Sequence, residues 1–114
     1  MALPHAQALD IIDLRPLGAS LAPTRSHSLL RTHTLQLMRV VLLAGQGMPE
    51  HHIEGEACIQ CTEGLVVVGT TAGDKLLQPG CAVVLPPGEP HVLYAQQDSS
   101  LIVFMLLHPH SPVA

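Results

Sequence analysis

Two histidines stand where the spacing of their neighbours gives an imidazole something to do. His91 closes a segment in which Gly80, Pro86, Gly88 and His91 occupy fixed positions. Gly80 permits a backbone conformation that a side chain forbids at a tight turn. Residues 81–85 form a short apolar run that reads as a buried strand. Pro86, Pro87 and Gly88 stop that strand and turn the chain, because proline fixes φ and glycine tolerates φ > 0. His91 then heads the next strand. His51 belongs to a second frame, opened by Gly45 and closed by Gly64. An imidazole so placed can ligate a metal, move a proton as a general base, or anchor a ligand through one hydrogen bond.

The segment from Gly80 to His91 resembles the second conserved motif of the cupin superfamily, G-x5-P-x-G-x2-H-x3-N. Gly80, Pro86, Gly88 and His91 match, and the final Asn position is Ala95. The first cupin motif is G-x5-H-x-H-x3,4-E-x6-G. Gly45, His51 and Gly64 match its frame, whereas its second histidine position is Ile53 and its glutamate position is Ala57. The resemblance covers about residues 35–107 and is to the small single-domain cupins with the cupin 2 conserved barrel. It implies an all-β fold, a double-stranded β-helix or jelly-roll barrel. In a cupin that follows both motifs, three histidines and one glutamate hold a divalent metal inside the barrel. Carried over residue by residue, that leaves His51 and His91 as ligands of one divalent metal: zinc, iron, nickel or manganese. His52 and Glu56 are the additional candidates, with a bend at Gly55 turning Glu56 inward. Against them, adjacent strand residues point to opposite faces, so His51 and His52 diverge.

Strand parity then selects a lining. If position 57 faces inward, so do Ile59 and Cys61, while Cys58, Gln60 and Thr62 face outward. The same count from His91 puts Leu93 and Ala95 inside and Tyr94 outside. The expected pocket is Ile53, Ala57, Ile59, Cys61, Leu93 and Ala95 with two imidazoles. Such a cavity is apolar with a small polar end, closer to a ligand pocket than to a complete metal cage.

The elements that must hold these residues are short. Pro and Gly together break the chain into segments rich in Val, Leu, Ile and Thr, the signature of a β-sandwich or barrel, and no helix beyond a short turn is expected. Residues 1–34 read as a leader with the first strands, 35–107 as the barrel and 108–114 as a tail, all one domain. Strands are expected at 28–32, 35–43, 58–62, 65–70, 75–77, 82–85, 91–95 and 101–107, with a short one at 9–14. Turns are expected at 45–49, 72–74 and 78–80, and a polar loop at 96–100.

Composition narrows the function classes. Hydrophobic residues are 47% of the 114, charged residues 12% and aromatic residues 2%. The core must therefore be aliphatic. With so little charge to coat a monomer, a partner is expected on part of the surface, most simply a second copy of the chain. Cupins generally pair through one sheet, and the outward positions of 28–32 are the candidate interface. The formal net charge of −4 and the scattered Arg15, Arg25, Arg31, Arg39 and Lys75 disfavour nucleic acid. No apolar run is long enough for a membrane span. The N-terminus lacks the basic-then-apolar order of a signal peptide, so a cytoplasmic location is expected. Cys58, Cys61 and Cys81 are an odd number of thiols and read as free. Cys58 and Cys61 form a C-x-x-C on a strand, where buried thiols acting as small hydrophobes are the better account.

Of the other histidines, His5, His27 and His33 read as loop or polar-face residues, and His108 and His110 as a solvated tail. Met48 reads as a core residue just before His51. Three functions compete. One is a metal-assisted enzyme such as a dioxygenase or isomerase, which lacks a plain third and fourth ligand. Another is a metal-free enzyme with His51 or His91 as base, weakened by an outward Tyr94 and the absence of an acidic partner. The third is a cupin of unassigned activity that binds a small, largely apolar molecule, which the lining favours.

Overall fold

The Gly and Pro spacing does divide the chain into strands, and a computed structural model describes residues 5–107. Nine strands are present among them: β1 (His27–Arg31), β2 (Leu35–Leu42), β3 (Gly47–His51), β4 (Ala57–Glu63), β5 (Val66–Thr70), β6 (Gly73–Leu77), β7 (Ala82–Leu85), β8 (His91–Ala95) and β9 (Ser99–Leu106). The helical content among the described residues is one 3-10 turn, Gly18–Ser20. The strands form two antiparallel sheets, β1-β2-β9-β4-β7 and β3-β8-β5-β6, packed face to face as a jelly roll.

Alternation fills the space between the sheets. On β4, Ala57, Ile59 and Cys61 are buried while Cys58, Gln60 and Thr62 are only half-buried. On β8, His91, Leu93 and Ala95 are buried while Val92 and Tyr94 are exposed. With Val40, Leu42, Val66, Val68, Leu77, Leu85, Leu101 and Val103, all of these buried residues but His91 make an aliphatic core. Each Val, Leu or Ile side chain among them contributes roughly 1.5–3 kcal/mol by leaving water.

The outer face of the five-stranded sheet has its own cover. Arg39 points away from the barrel, and Asp13, Pro16, Leu17 and Ser20 of the N-terminal arm lie beside it. Arg39 is buried there and donates to the Asp13 carbonyl at 3.1 Å. The Glu63 carboxylate anchors the arm by accepting the Leu17 and Gly18 N–H groups at 2.7 and 3.0 Å, and it also accepts the buried Ser100 hydroxyl.

Four segments differ from the sequence reading. Residues 45–49 are not simply a turn, because β3 starts at Gly47 and runs through Pro49. A proline is admitted because β3 is the edge of its sheet, where one missing N–H costs nothing. β9 starts at Ser99 instead of 101, since the two buried serines are satisfied by internal partners and not by a loop. The hairpin turn is centred on Thr71 and Ala72, and Gly73 already pairs with Thr70. Residues 9–14 form no strand; Ala6 alone bridges to Leu30 of β1. The tail residues His108 and His110 lie outside the described residues.

Candidate functional site

The two frame histidines meet. β3 and β8 run antiparallel with Met48 opposite Leu93 and His51 opposite His91. Three residues along a regular strand would put Met48 and His51 on opposite faces. The register slips between them, and the bulge brings both side chains to the barrel interior. The imidazole centroids lie 4.2 Å apart with the planes inclined at 55°. His91 is buried and His51 half-buried.

Each ring is held by a carbonyl two residues upstream. His51 Nδ1 lies 3.1 Å from the Pro49 carbonyl oxygen and His91 Nδ1 lies 3.0 Å from that of Glu89. A carbonyl only accepts, so in both rings Nδ1 is the donor. In the neutral imidazole Nε2 then keeps its lone pair, free to accept a hydrogen bond or bind a cation. Glu89 is itself fixed. Its Oε2 accepts the Thr71 hydroxyl at 2.6 Å and the Thr71 N–H at 2.9 Å. Those hydrogen bonds, with a smaller contribution from His91, hold its carboxyl below the usual carboxylate range. The turn after β7 is tied to the same end of the barrel, where the Gly88 N–H donates to the Ile53 carbonyl at 2.8 Å.

Around the rings lies a cavity of about 120 Å³, lined by Ser26, Met38, Val40, Met48, Ile53, Ile59, Leu93, Val103 and Met105 with His51 and His91. Ile53, Ile59 and Leu93 line this cavity. Ala57, Cys61 and Ala95 share the inward face but do not line the cavity. They lie in the packed core, where neighbouring aliphatic side chains leave no space beside them. Burial pushes the Cys61 thiol up, opposed by its bond to the Glu63 carbonyl. His52 and Glu56 are exposed, and Glu56 borders a separate groove on the outer sheet face with Cys58, Val84, Phe104 and Leu106. Tyr94 is on the exterior.

Sequence reading alone left out Ser26 and also Met38, Val40, Val103 and Met105, which with Ile59 make the wall facing β3 and β8. Those four were within reach of the parity argument, since Met38 and Val40 alternate on β2 and Val103 and Met105 on β9. What was missing was which sheet face each strand presents. Met48, read as core, is on the wall beside His51.

A divalent cage of the cupin type does not assemble here. Ile53 and Ala57 occupy two of its four positions, and no cluster of three His, Cys, Asp or Glu side chains capable of holding a metal exists among the described residues.

No family model and no curated protein matches the chain. Solved structures do. A cupin superfamily protein from Desulfitobacterium hafniense superposes with a TM-score of 0.73 over 87% of this chain and 100% of its own, at 14% identity. TT1209 from Thermus thermophilus aligns at 0.66 and 27% identity, covering 76% of this chain and 88% of its own. Salicylate 1,2-dioxygenase from Pseudoaminobacter salicylatoxidans aligns at 0.66 and 22% identity, over 70% of this chain and 25% of its own. With its two packed sheets, this chain has the cupin fold. Proteins of different activity share that fold, so chemistry has to be argued from the cavity.

Proposed function

We propose that this chain binds a small molecule inside the barrel, one with an apolar body and hydrogen-bond donors at one end. The observation behind this is the pairing of an apolar wall with two Nε2 lone pairs at one end. Ile53, Ile59, Leu93, Val40 and Val103 supply surface that favours hydrocarbon. The imidazoles accept an O–H or N–H and orient it. A cavity of about 120 Å³ suits a ligand on the scale of a single ring, since an engineered cavity of roughly 150 Å³ admits benzene. Ligand-observed NMR with small hydroxylated and aminated aromatic fragments tests this. The expected result is binding that weakens at least tenfold in both His51→Ala and His91→Ala. Binding that ignores both substitutions overturns it.

A metal-dependent enzyme is the second reading. It is favoured by the Nδ1 bonds to carbonyl oxygens, the orientation that metal-ligating histidines commonly receive. His51 and His91 would hold the ion, with water completing the shell. Metal content of purified protein separates the two readings. A homodimer is part of the same proposal. β1 is a sheet edge covered among the described residues only at Leu30, and Val84 and Leu106 are exposed on the outer face of that sheet. Light scattering at micromolar concentration tests it, and a stable monomer overturns it.

A further inference from the structure

The chain contains four methionines, and the three after Met1 all line the barrel cavity. Met38 comes from β2, Met48 from β3 and Met105 from β9, so both sheets contribute. Methionine is flexible and often fills gaps, but gap-filling gives no reason to collect every internal methionine around two imidazoles. Among the described residues the wall carries no carboxylate and no thiol. Its electron-pair donors are thus two Nε2 atoms, three thioether sulfurs and the Ser26 hydroxyl. Hard divalent ions favour oxygen ligands, whereas thioethers select soft ions, copper(I) above all.

We propose that this cavity is a copper(I) site, with His51 and His91 as nitrogen ligands and Met48, Met38 and Met105 as the thioether set. This rests on the reading above that the paired imidazoles are the binding end of the cavity, and adds which ion they take. The geometry prepares the nitrogens. Both Nδ1 atoms are engaged by carbonyls, so in the neutral rings both lone pairs lie on Nε2. The bulge in β3 that turns His51 inward keeps Met48 on the same face. Met38 and Met105 are diagonal neighbours on adjacent strands, with Met38 opposite Val103 and Met105 two residues beyond it. Diagonal pairs lie roughly 7–8 Å apart, within reach of two long side chains converging on one point. Copper(I) accepts low coordination numbers, so two nitrogens and one or two sulfurs suffice where a divalent ion wants more. The His and Glu ligands missing at Ile53 and Ala57 are thus replaced by thioethers from elsewhere on the wall.

The test uses the full chain carrying Cys58→Ser and Cys81→Ser, which removes the two thiols that are not buried. Copper(I) is offered anaerobically as its bicinchoninate complex, and zinc(II) is titrated separately. The expected result is transfer of one equivalent of copper(I). Met38→Leu, Met48→Leu and Met105→Leu combined should weaken copper(I) at least tenfold and leave zinc(II) within twofold, because leucine keeps the volume and spares the imidazoles. Selenomethionine-labelled protein gives a reading that needs no folded variant: copper-edge absorption should show a selenium neighbour. No transfer of copper, an affinity unmoved by the triple substitution, or a copper shell without selenium overturns the proposal. Fragment binding that persists in that event leaves the small-molecule reading standing, so the two failures are distinct.

Discussion

His51 and His91 face each other across the β3–β8 ladder, with ring centroids 4.2 Å apart and each Nδ1 held by the carbonyl two residues before it. Both nitrogens that reach the cavity are therefore of the same kind. The barrel supplies two equivalent acceptors at one end of an apolar chamber. Whatever enters must offer a donor or a cation to that end, and the predictions below follow from this and from what holds the strands in place.

The first concerns Thr71, which touches no ligand. Its hydroxyl and N–H fix the Glu89 carboxylate, and the Glu89 carbonyl fixes His91. Thr71→Val removes the hydroxyl and keeps the shape. The Glu89 carboxyl should move back toward the ordinary range, and the His91 ring resonances should broaden or shift while those of His51 stay put. Histidine-selective NMR checks this. Unchanged His91 resonances would mean that the carbonyl is held by the strand alone.

A second prediction uses the two cupin positions that this chain lacks. Ile53→His places a third imidazole at the cavity wall, and zinc(II) or nickel(II) affinity should rise at least tenfold. Ala57→Glu is a different matter, because Ala57 is buried in the core opposite Leu85 and Met105. A carboxylate there is unpaired without a metal, at a cost of several kcal/mol. The double variant should melt well below the native chain when metal-free and recover when zinc is added. Equal melting with and without metal would show that position 57 does not reach the site.

The frame of this site was legible because its markers are backbone devices. Gly80 and Gly88 do adopt positive φ, 87° and 76°, and a turn set by such residues fixes where His91 must start. Position 53 and position 57 could be read as departures for the same reason. The slip between Met48 and His51 was not legible, since a bulge leaves no mark on composition and Pro49 argued for a turn. Without the slip, parity assigns Met48 to the wrong face. The far wall was hidden as well. Met38 and Met105 reach the cavity only because β2 and β9 lie side by side in the sheet facing β3 and β8, a long-range pairing that no local pattern encodes. The same holds for Glu63, at the end of β4, whose partners Leu17, Gly18 and Ser100 are remote in the chain.

That carboxylate gives a pH prediction. Partial burial pushes the Glu63 carboxyl up, but the Ser100 hydroxyl, the Leu17 and Gly18 N–H groups and the Arg39 guanidinium together outweigh it, and the net shift is downward. A carboxyl lowered on folding adds stability that is complete above its unfolded value, about 4.3, and is lost as pH falls through the folded value. Denaturant melts of the native chain should therefore weaken progressively below about pH 4.5. Glu63→Gln should be less stable at pH 7 by about 1.5–3 kcal/mol, the range for hydrogen bonds to a charged group, and its acid limb should be flatter. Parallel pH curves for the two proteins would place the acid sensitivity elsewhere.

The last prediction separates two reasons for a motif glycine. Gly45 and Gly64 open and close the first frame, and both take positive φ, 85° and 92°. Around Gly45 a methyl group would meet nothing within 4 Å. Its substitution by alanine costs only the backbone preference, about 1 kcal/mol. At Gly64 an added Cβ would fall 2.4 Å from the Asp98 carbonyl oxygen and 2.6 Å from Ser99 Cα, both backbone positions that cannot swing aside. Ser99 there donates to the Gln97 carbonyl at 2.6 Å and accepts the Leu65 N–H at 2.9 Å, so moving it breaks the start of β9. Gly64→Ala should then cost at least about 3 kcal/mol, the range in which backbone strain and lost buried hydrogen bonds combine. Because β9 carries Val103 and Met105 into the cavity, the same variant should also lose fragment and metal binding, while Gly45→Ala keeps both. Equal destabilisation by the two substitutions in urea melts would mean that φ alone, and not the contact with β9, explains the closing glycine.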